Sequence, residues 1–332
     1  MSVASGACSA HWTDVSGPSA PAEGLPYHLV QRAGATGWWR PVVGTVGLVV
    51  IMLGLVPLLI QIPFAAGYAV SGKDVAASMR RLVDLENPTP MGLAYLNLVL
   101  AAAIPVTWLL MRVVHGLRPR WLASVFPRIR WGWFVTCLGL AVLSLLATLV
   151  VSAMLPSSAG DPQVSSTVND FTSTTRDFLV VVVLLTPLQA AGEEYAFRGY
   201  LTQAFGGLFR NRWAAVLGPA VLFALAHGAQ SAPVFFDRFA FGIVAGVLVV
   251  VTGGLEAGIA MHVLNNWLAF GLALAFGDMG STLNPTGGSW WSLPTTLTQS
   301  LVYLGLALLV ARRRGLQTTS NPAVLVAPRG LV

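Results

Sequence analysis

Eight long apolar stretches alternate with shorter polar links along the chain. They run over about 42–70, 91–114, 132–155, 177–205, 213–228, 236–252, 257–276 and 295–311. Roughly 20 mostly apolar residues in helical conformation cross the hydrocarbon core of a bilayer. The pattern therefore predicts an all-α fold, a polytopic transmembrane bundle of about eight spans. The fourth and fifth stretches are the least regular because polar residues interrupt them. The eighth is short and polar at its start.

Composition agrees with that pattern. Apolar residues make up 55% of the 332 positions and charged residues 10%, whereas a soluble domain carries about a quarter charged residues. The net charge is +6, and Lys73 is the only lysine. Arginines gather in particular links: Arg112, Arg118, Arg120, Arg128 and Arg130 after the second span, Arg210 and Arg212 between the fourth and fifth, Arg312, Arg313 and Arg314 after the eighth. With eight spans these fall on one side together with Arg32 and Arg40, so the positive-inside rule predicts that both termini are cytoplasmic. The opposite links hold Lys73, Arg80, Arg81, Arg176 and Arg238 with several acids. The arginines are spread over several loops and form no single basic face, so a nucleic-acid partner is not expected. The bilayer itself is the expected surrounding.

Cys8 and Cys137 give neither a disulfide framework nor a CxxC motif. No apolar stretch precedes Cys8, and residues 1–40 lack the apolar core of a secretory signal. The expected organisation is a flexible cytoplasmic tail over 1–40, ending near Trp38, Trp39 and Arg40 at the interface, then a first set of transmembrane helices over 41–174. Helices over 175–276 carry the chemistry. An external loop and the last helix occupy 277–314, with Trp290 and Trp291 suited to an interfacial belt, and a cytoplasmic tail occupies 315–332.

Ionisable groups inside a span are expensive and mark function or paired structure. Of the acids, the adjacent Glu193 and Glu194 lie within a span, with Asp237 and Glu256 near span boundaries. His11, His28 and His115 lie in tails or loops, while His227 and His262 lie in apolar runs. If Gly192–Arg198 is helical, Glu194 and Arg198 stand four apart in the favourable order for an ion pair. Glu193 then points about 100° away and is the carboxylate available as a general base. His227 ends an apolar helix before Gly228, where it can orient a water or ligate a metal. His262 and Asn266 share one helix face and suit a pair of donors to a developing oxyanion. Asn265 points elsewhere. The sequence contains no GxSxG elbow, HExxH motif, GxGxxG loop or Walker A loop. Hydrolysis would therefore rest on a water activated by Glu193, with or without a metal.

Glu-Glu-x-x-x-Arg at 193–198, Phe-x-x-x-His at 223–227 and His-x-x-x-Asn at 262–266, in that order on successive helices, resemble the CPBP family. These are the CAAX-protease-like and bacteriocin-processing membrane proteins, also called the ABI or Rce1-type family. The resemblance covers roughly 175–275 and implies an eight-helix bundle with a cavity open to the cytoplasmic side. It implies an intramembrane endopeptidase in which Glu193 activates water with help from His227, His262 and Asn266 stabilise the tetrahedral intermediate, and Glu194 and Arg198 support. Its expected partner is a membrane-associated peptide or protein substrate, in a bacterial plasma membrane by composition. Glu193, His227 and His262 also form a chemically acceptable zinc set, and the motifs leave a divalent metal open. Two other functions share these features: a non-catalytic immunity or scaffold protein of the same fold, and a proton-coupled transporter that uses buried Glu and His as relays.

Overall fold

A computed structural model describes residues 24–155, 167–228, 231–284 and 288–321. Cys8, His11 and most of the two tails and of the 156–176 link lie outside the described residues. Helix dominates, and among the described residues there is no β-strand, only isolated bridges at Pro26–Thr319 and Ser124–Gly254. The helices are α1 (Trp39–Val70), α2 (Val75–Leu82), α3 (Pro90–Val113), α4 (Trp131–Ser152), α5 (Ser173–Phe209), α6 (Arg212–Ala226), α7 (Ala232–Thr252), α8 (Glu256–Phe276), α9 (Met279–Leu283) and α10 (Ser292–Arg313). Short 3-10 segments occupy Tyr27–Ala33 and Pro119–Leu122.

Seven of these helices are long and apolar enough to cross a membrane: α1, α3, α4, α5, α7, α8 and α10. The chain is an integral membrane protein of the all-α class. The remaining expected span is α6, only 15 residues long, about 22 Å at 1.5 Å per residue. Large apolar side chains cover the outside of the bundle: Leu53, Leu58 and Leu184 are each more than half exposed. The interior instead uses small residues that let helix backbones approach. Gly192 meets the Leu100–Ala101 backbone of α3 where a Cβ would clash, and Gly242 of α7 does the same against Ala220 of α6.

Both described ends of the chain lie on one face. Pro26 pairs with Thr319, and the Ser320 backbone N–H donates to the Leu25 carbonyl at 2.9 Å. The same face gathers the 115–130 link and the α7–α8 turn, where Val125 N–H donates to Gly253 O at 2.8 Å and Leu255 N–H to Ala123 O at 2.9 Å. It also holds the α5–α6 turn, through a bond of 3.0 Å from Arg32 Nη1 to Gly207 O. At the other end Asn169 Nδ2 donates to Gly277 O at 3.0 Å. Arg130 locks the first face: Nε and Nη2 each donate to Glu256 at 2.8 Å, and Glu256 is wholly buried.

One stretch departs from the sequence reading, and the cause is clear. Residues 24–35 are packed where a flexible tail is expected, because Tyr27 and Val30 are fully buried and Gln31 donates to Tyr200 O. Next to it 315–321 is packed as well, since the buried Ser320 accepts at Oγ from Leu25 N–H at 2.9 Å. Residues 1–23 and 322–332 lie outside the described residues.

Candidate active site

The site is assembled from α5, α6, α7 and α8. Within α5 the α-helical hydrogen bonding of Ser173–Glu193 passes into a π-helical stretch over Glu194–Leu201. Such stretches are rare in helices and frequent at functional sites. This one begins at the paired glutamates. In a regular α-helix consecutive side chains diverge by about 100°, yet here both carboxylates reach one imidazole. His262 Nε2 lies 3.2 Å from Glu193 Oε2, and His262 Nδ1 lies 2.9 Å from Glu194 Oε1. Gly258, one turn before His262 on α8, makes room for this arrangement: a Cβ there would stand 2.5 Å from Glu194 Oε2.

The two glutamates differ in what else they touch. Glu194 is wholly buried, and its Oε1 also lies 3.1 Å from Arg198 Nη1, a pair four residues apart and itself buried. The Arg198–Glu194 contact is close but lacks hydrogen-bond alignment, so both Nη atoms are unbonded among the described residues. The guanidinium lies over the Phe223 ring, 4.1 Å from its centroid, with Phe241 at 5.6 Å. Glu193 keeps 11% side-chain exposure, and its Oε1 has no protein partner among the described residues. Where the sequence suggests a free carboxylate, one oxygen of Glu193 is held by His262 and the other is available.

His227 caps α6. Its Nδ1 lies 2.8 Å from the Phe223 carbonyl, which only accepts. Nδ1 therefore carries the proton, and in the neutral ring Nε2 is a bare acceptor. The ring stands edge-on to Phe223 at 4.6 Å and lies near enough to Glu193 and His262 to interact with both through charge. Asn266 is on the same side of α8 as His262, but its Nδ2 donates to Gln189 Oε1 at 3.0 Å. Asn265 Nδ2 donates to Asn266 Oδ1 at 3.2 Å. The structure thus brings Glu193, Glu194, Arg198 and His262 into direct contact, sets His227 beside them, and ties Asn266 to α5 one turn before Glu193. The sequence reading missed Gln189 and Phe241, and it held Phe223 only as the first residue of a motif, without its place as an aromatic wall. Gln189 stands four residues before Glu193 inside an apolar run, a signal of the kind that singled out the glutamates.

The donor set does not fit a metal as placed. Both nitrogens of His262 face carboxylates, which takes His262 out of the set and leaves only His227 Nε2 and one oxygen of Glu193. Among the described residues no three His, Cys, Asp or Glu side chains are arranged to hold a metal ion.

A buried carboxylate pair, two imidazoles and an amide inside an apolar helical bundle define a polytopic membrane protein with an acid–base site below its lipid-facing surface. The comparison with known families falls on the same residues. Residues 175–268 match the family model described as "Type II CAAX prenyl endopeptidase Rce1-like", a peptidase family. The match spans all three motifs and bears out the resemblance read from them. The chain is also 27% identical over 220 residues to YyaK of Bacillus subtilis (strain 168), described as an uncharacterized protein, a match covering 62% of this chain and 71% of YyaK. No solved structure gives a significant match.

Proposed function

We propose that the chain is an intramembrane endopeptidase that hydrolyses a peptide bond of a membrane-associated peptide or protein. The observation that carries this is the pairing of Glu193, a carboxylate inside the bundle held on one oxygen by His262 at 3.2 Å, with His227, whose ring packs edge-on against the same Phe223 that His262 touches. A water between them donates one proton to Glu193 Oε1 and the other to His227 Nε2. Its lone pair is then left for the scissile carbonyl carbon. As Glu193 takes the first proton, hydroxide adds to the carbonyl and a tetrahedral oxyanion forms. Glu193 returns that proton to the leaving amine, the C–N bond breaks, and one water is consumed.

By the family resemblance, His262 and Asn266 are the donors assigned to the developing oxyanion. In the resting arrangement each is engaged, His262 by the glutamates and Asn266 by Gln189. The oxyanion role therefore requires the 3.2 Å contact between His262 Nε2 and Glu193 Oε2 to be exchanged as Glu193 takes a proton on Oε1 and Oε2 becomes a weaker, uncharged acceptor. Glu194 and Arg198 hold the other edge of His262 and set its plane. The distribution of arginine supports a cytoplasmic placement of the face that carries both chain ends. The bacterial relative supports a bacterial plasma membrane. The test is a comparison of membrane peptides by mass spectrometry between cells making the wild type and cells making Glu193→Gln at equal level. Fragments that vanish and precursors that accumulate in the variant are expected. Identical peptide profiles would reject the assignment.

A further inference from the structure

On the face that gathers both chain ends, the 3-10 segment, the start of α1, the end of α3 and the end of α5 enclose a cavity of about 320 Å³. Arg32, Arg40 and Arg210 line it, and no acidic residue does. None of the three is in an ion pair among the described residues. Arg32 spends Nη1 on Gly207 O. Arg40 spends Nε on Thr36 O and Nη1 on Val114 O. Each keeps Nη2 without a partner among the described residues, and the exposed Arg210 keeps its whole guanidinium. Arg210 is also the one non-glycine with positive φ among the described residues, at 54°. It ends α5 in the left-handed conformation usually given to glycine, so the chain sets a long cationic side chain at a position that disfavours one. The buried His115 at the wall reports the same field: burial and the neighbouring Arg40 lower its pKa to about 4.

The surroundings say what kind of anion fits. Trp38, 76% exposed, and Trp39 with Arg40 stacked on it at 4.6 Å form an interfacial belt beside the cavity. Directly along α1 follow the exposed Val42, Val43 and Val46. A cationic recess at headgroup level, opening onto an apolar helix face, matches a molecule with an anionic head and an acyl tail. We propose that this recess binds the phosphodiester headgroup of an anionic phospholipid, with the acyl chains lying along α1. The arginines supply paired donors to phosphate oxygens.

The test uses the purified full chain in mild detergent with fluorescent phosphatidylglycerol and phosphatidylcholine as probes. Wild type is expected to prefer phosphatidylglycerol. Each arginine near an anionic headgroup is worth roughly fivefold in affinity, so Arg210→Gln should weaken phosphatidylglycerol binding about fivefold. Arg32→Gln/Arg40→Gln/Arg210→Gln should weaken it more than tenfold. Arg312→Gln/Arg313→Gln, on the same face but outside the cavity, should leave it unchanged. Arg210 is exposed and packs no core, so its single variant keeps the test valid if the triple variant unfolds. Equal binding of the two lipids by wild type, or an equal loss in the Arg312/Arg313 control, would overturn the proposal. Displacement of the lipid by millimolar inorganic phosphate would assign the recess to a free anion and overturn it as well.

Discussion

Replacing Arg198 by methionine keeps most of its length and removes its charge. The wild-type guanidinium is 1% exposed, lies 3.1 Å from the fully buried Glu194 carboxylate and sits 4.1 Å from the Phe223 ring centroid. The variant leaves Glu194 buried with His262 Nδ1 as its one remaining polar side-chain partner among the described residues. Removing one member of a buried ion pair costs about 3–5 kcal/mol, because the survivor keeps its desolvation cost and loses its compensation. Adding Glu194→Gln to Arg198→Met removes the stranded charge, so the double variant should recover roughly 1–3 kcal/mol relative to the sum of the singles. Arg198→Lys keeps the charge but loses the planar stack on Phe223, a loss of roughly 1–2 kcal/mol. The assay is equilibrium unfolding of the purified chain in mixed micelles, followed by tryptophan fluorescence, for wild type, both singles, the double and the lysine variant. If Arg198→Met costs less than about 1 kcal/mol, or if the two losses simply add, the two residues are not coupled as described.

Further outcomes follow from particular contacts. Gly258→Ala should displace the Glu194 carboxylate and lower both stability and cleavage, while Gly271→Ala on the same helix, where a Cβ meets open space, should lower neither; equal effects would contradict the packing at Gly258. His115 has its folded-state pKa lowered from 6.5 to about 4, so between those values the unfolded chain binds the extra proton and stability falls as pH falls. His115→Gln should flatten the stability profile across that window, and an unchanged slope would refute the burial argument. Gln189→Leu frees Asn266 and should reduce kcat about tenfold with little change in KM; an effect confined to KM would place Gln189 in substrate binding instead. Because the His262 nitrogens both face carboxylates, cleavage is expected to persist after dialysis against a strong chelator. Loss of activity restored by zinc would contradict that geometry.

Much of this was legible in the sequence, and the misses have physical causes. Long apolar runs announced the spans, although polar residues interrupted the fourth and fifth. Their ends were harder, since Ser173–Asp177 is polar yet helical, started by Thr172 accepting from Thr175 N–H in a capping box. α2 was invisible as a helix because only Leu82 of its eight residues is buried and its signal is the Asp74 cap on Ala77. The packed 3-10 segment depends on Tyr27 and Val30, two apolar residues in a Gly- and Pro-rich stretch with no periodicity to betray them. The Glu194–Arg198 pair could be read from spacing. The sharing of one imidazole by both glutamates could not, because it depends on the π-helical stretch, and nothing in Glu194–Leu201 marks that locally. Arg130 and Glu256 are 126 positions apart, so only the fold reveals that they hold the α7–α8 turn to the start of α4.

The most direct test reconstitutes the purified chain in liposomes with the precursor identified from the membrane-peptide comparison and follows cleavage by mass spectrometry. Glu193→Gln keeps the shape and a hydrogen-bonding oxygen but cannot take a proton from water. The account predicts that this variant stays folded by tryptophan fluorescence and loses roughly 10²–10⁴-fold in kcat. Cleavage at the wild-type rate by a folded Glu193→Gln protein would contradict it.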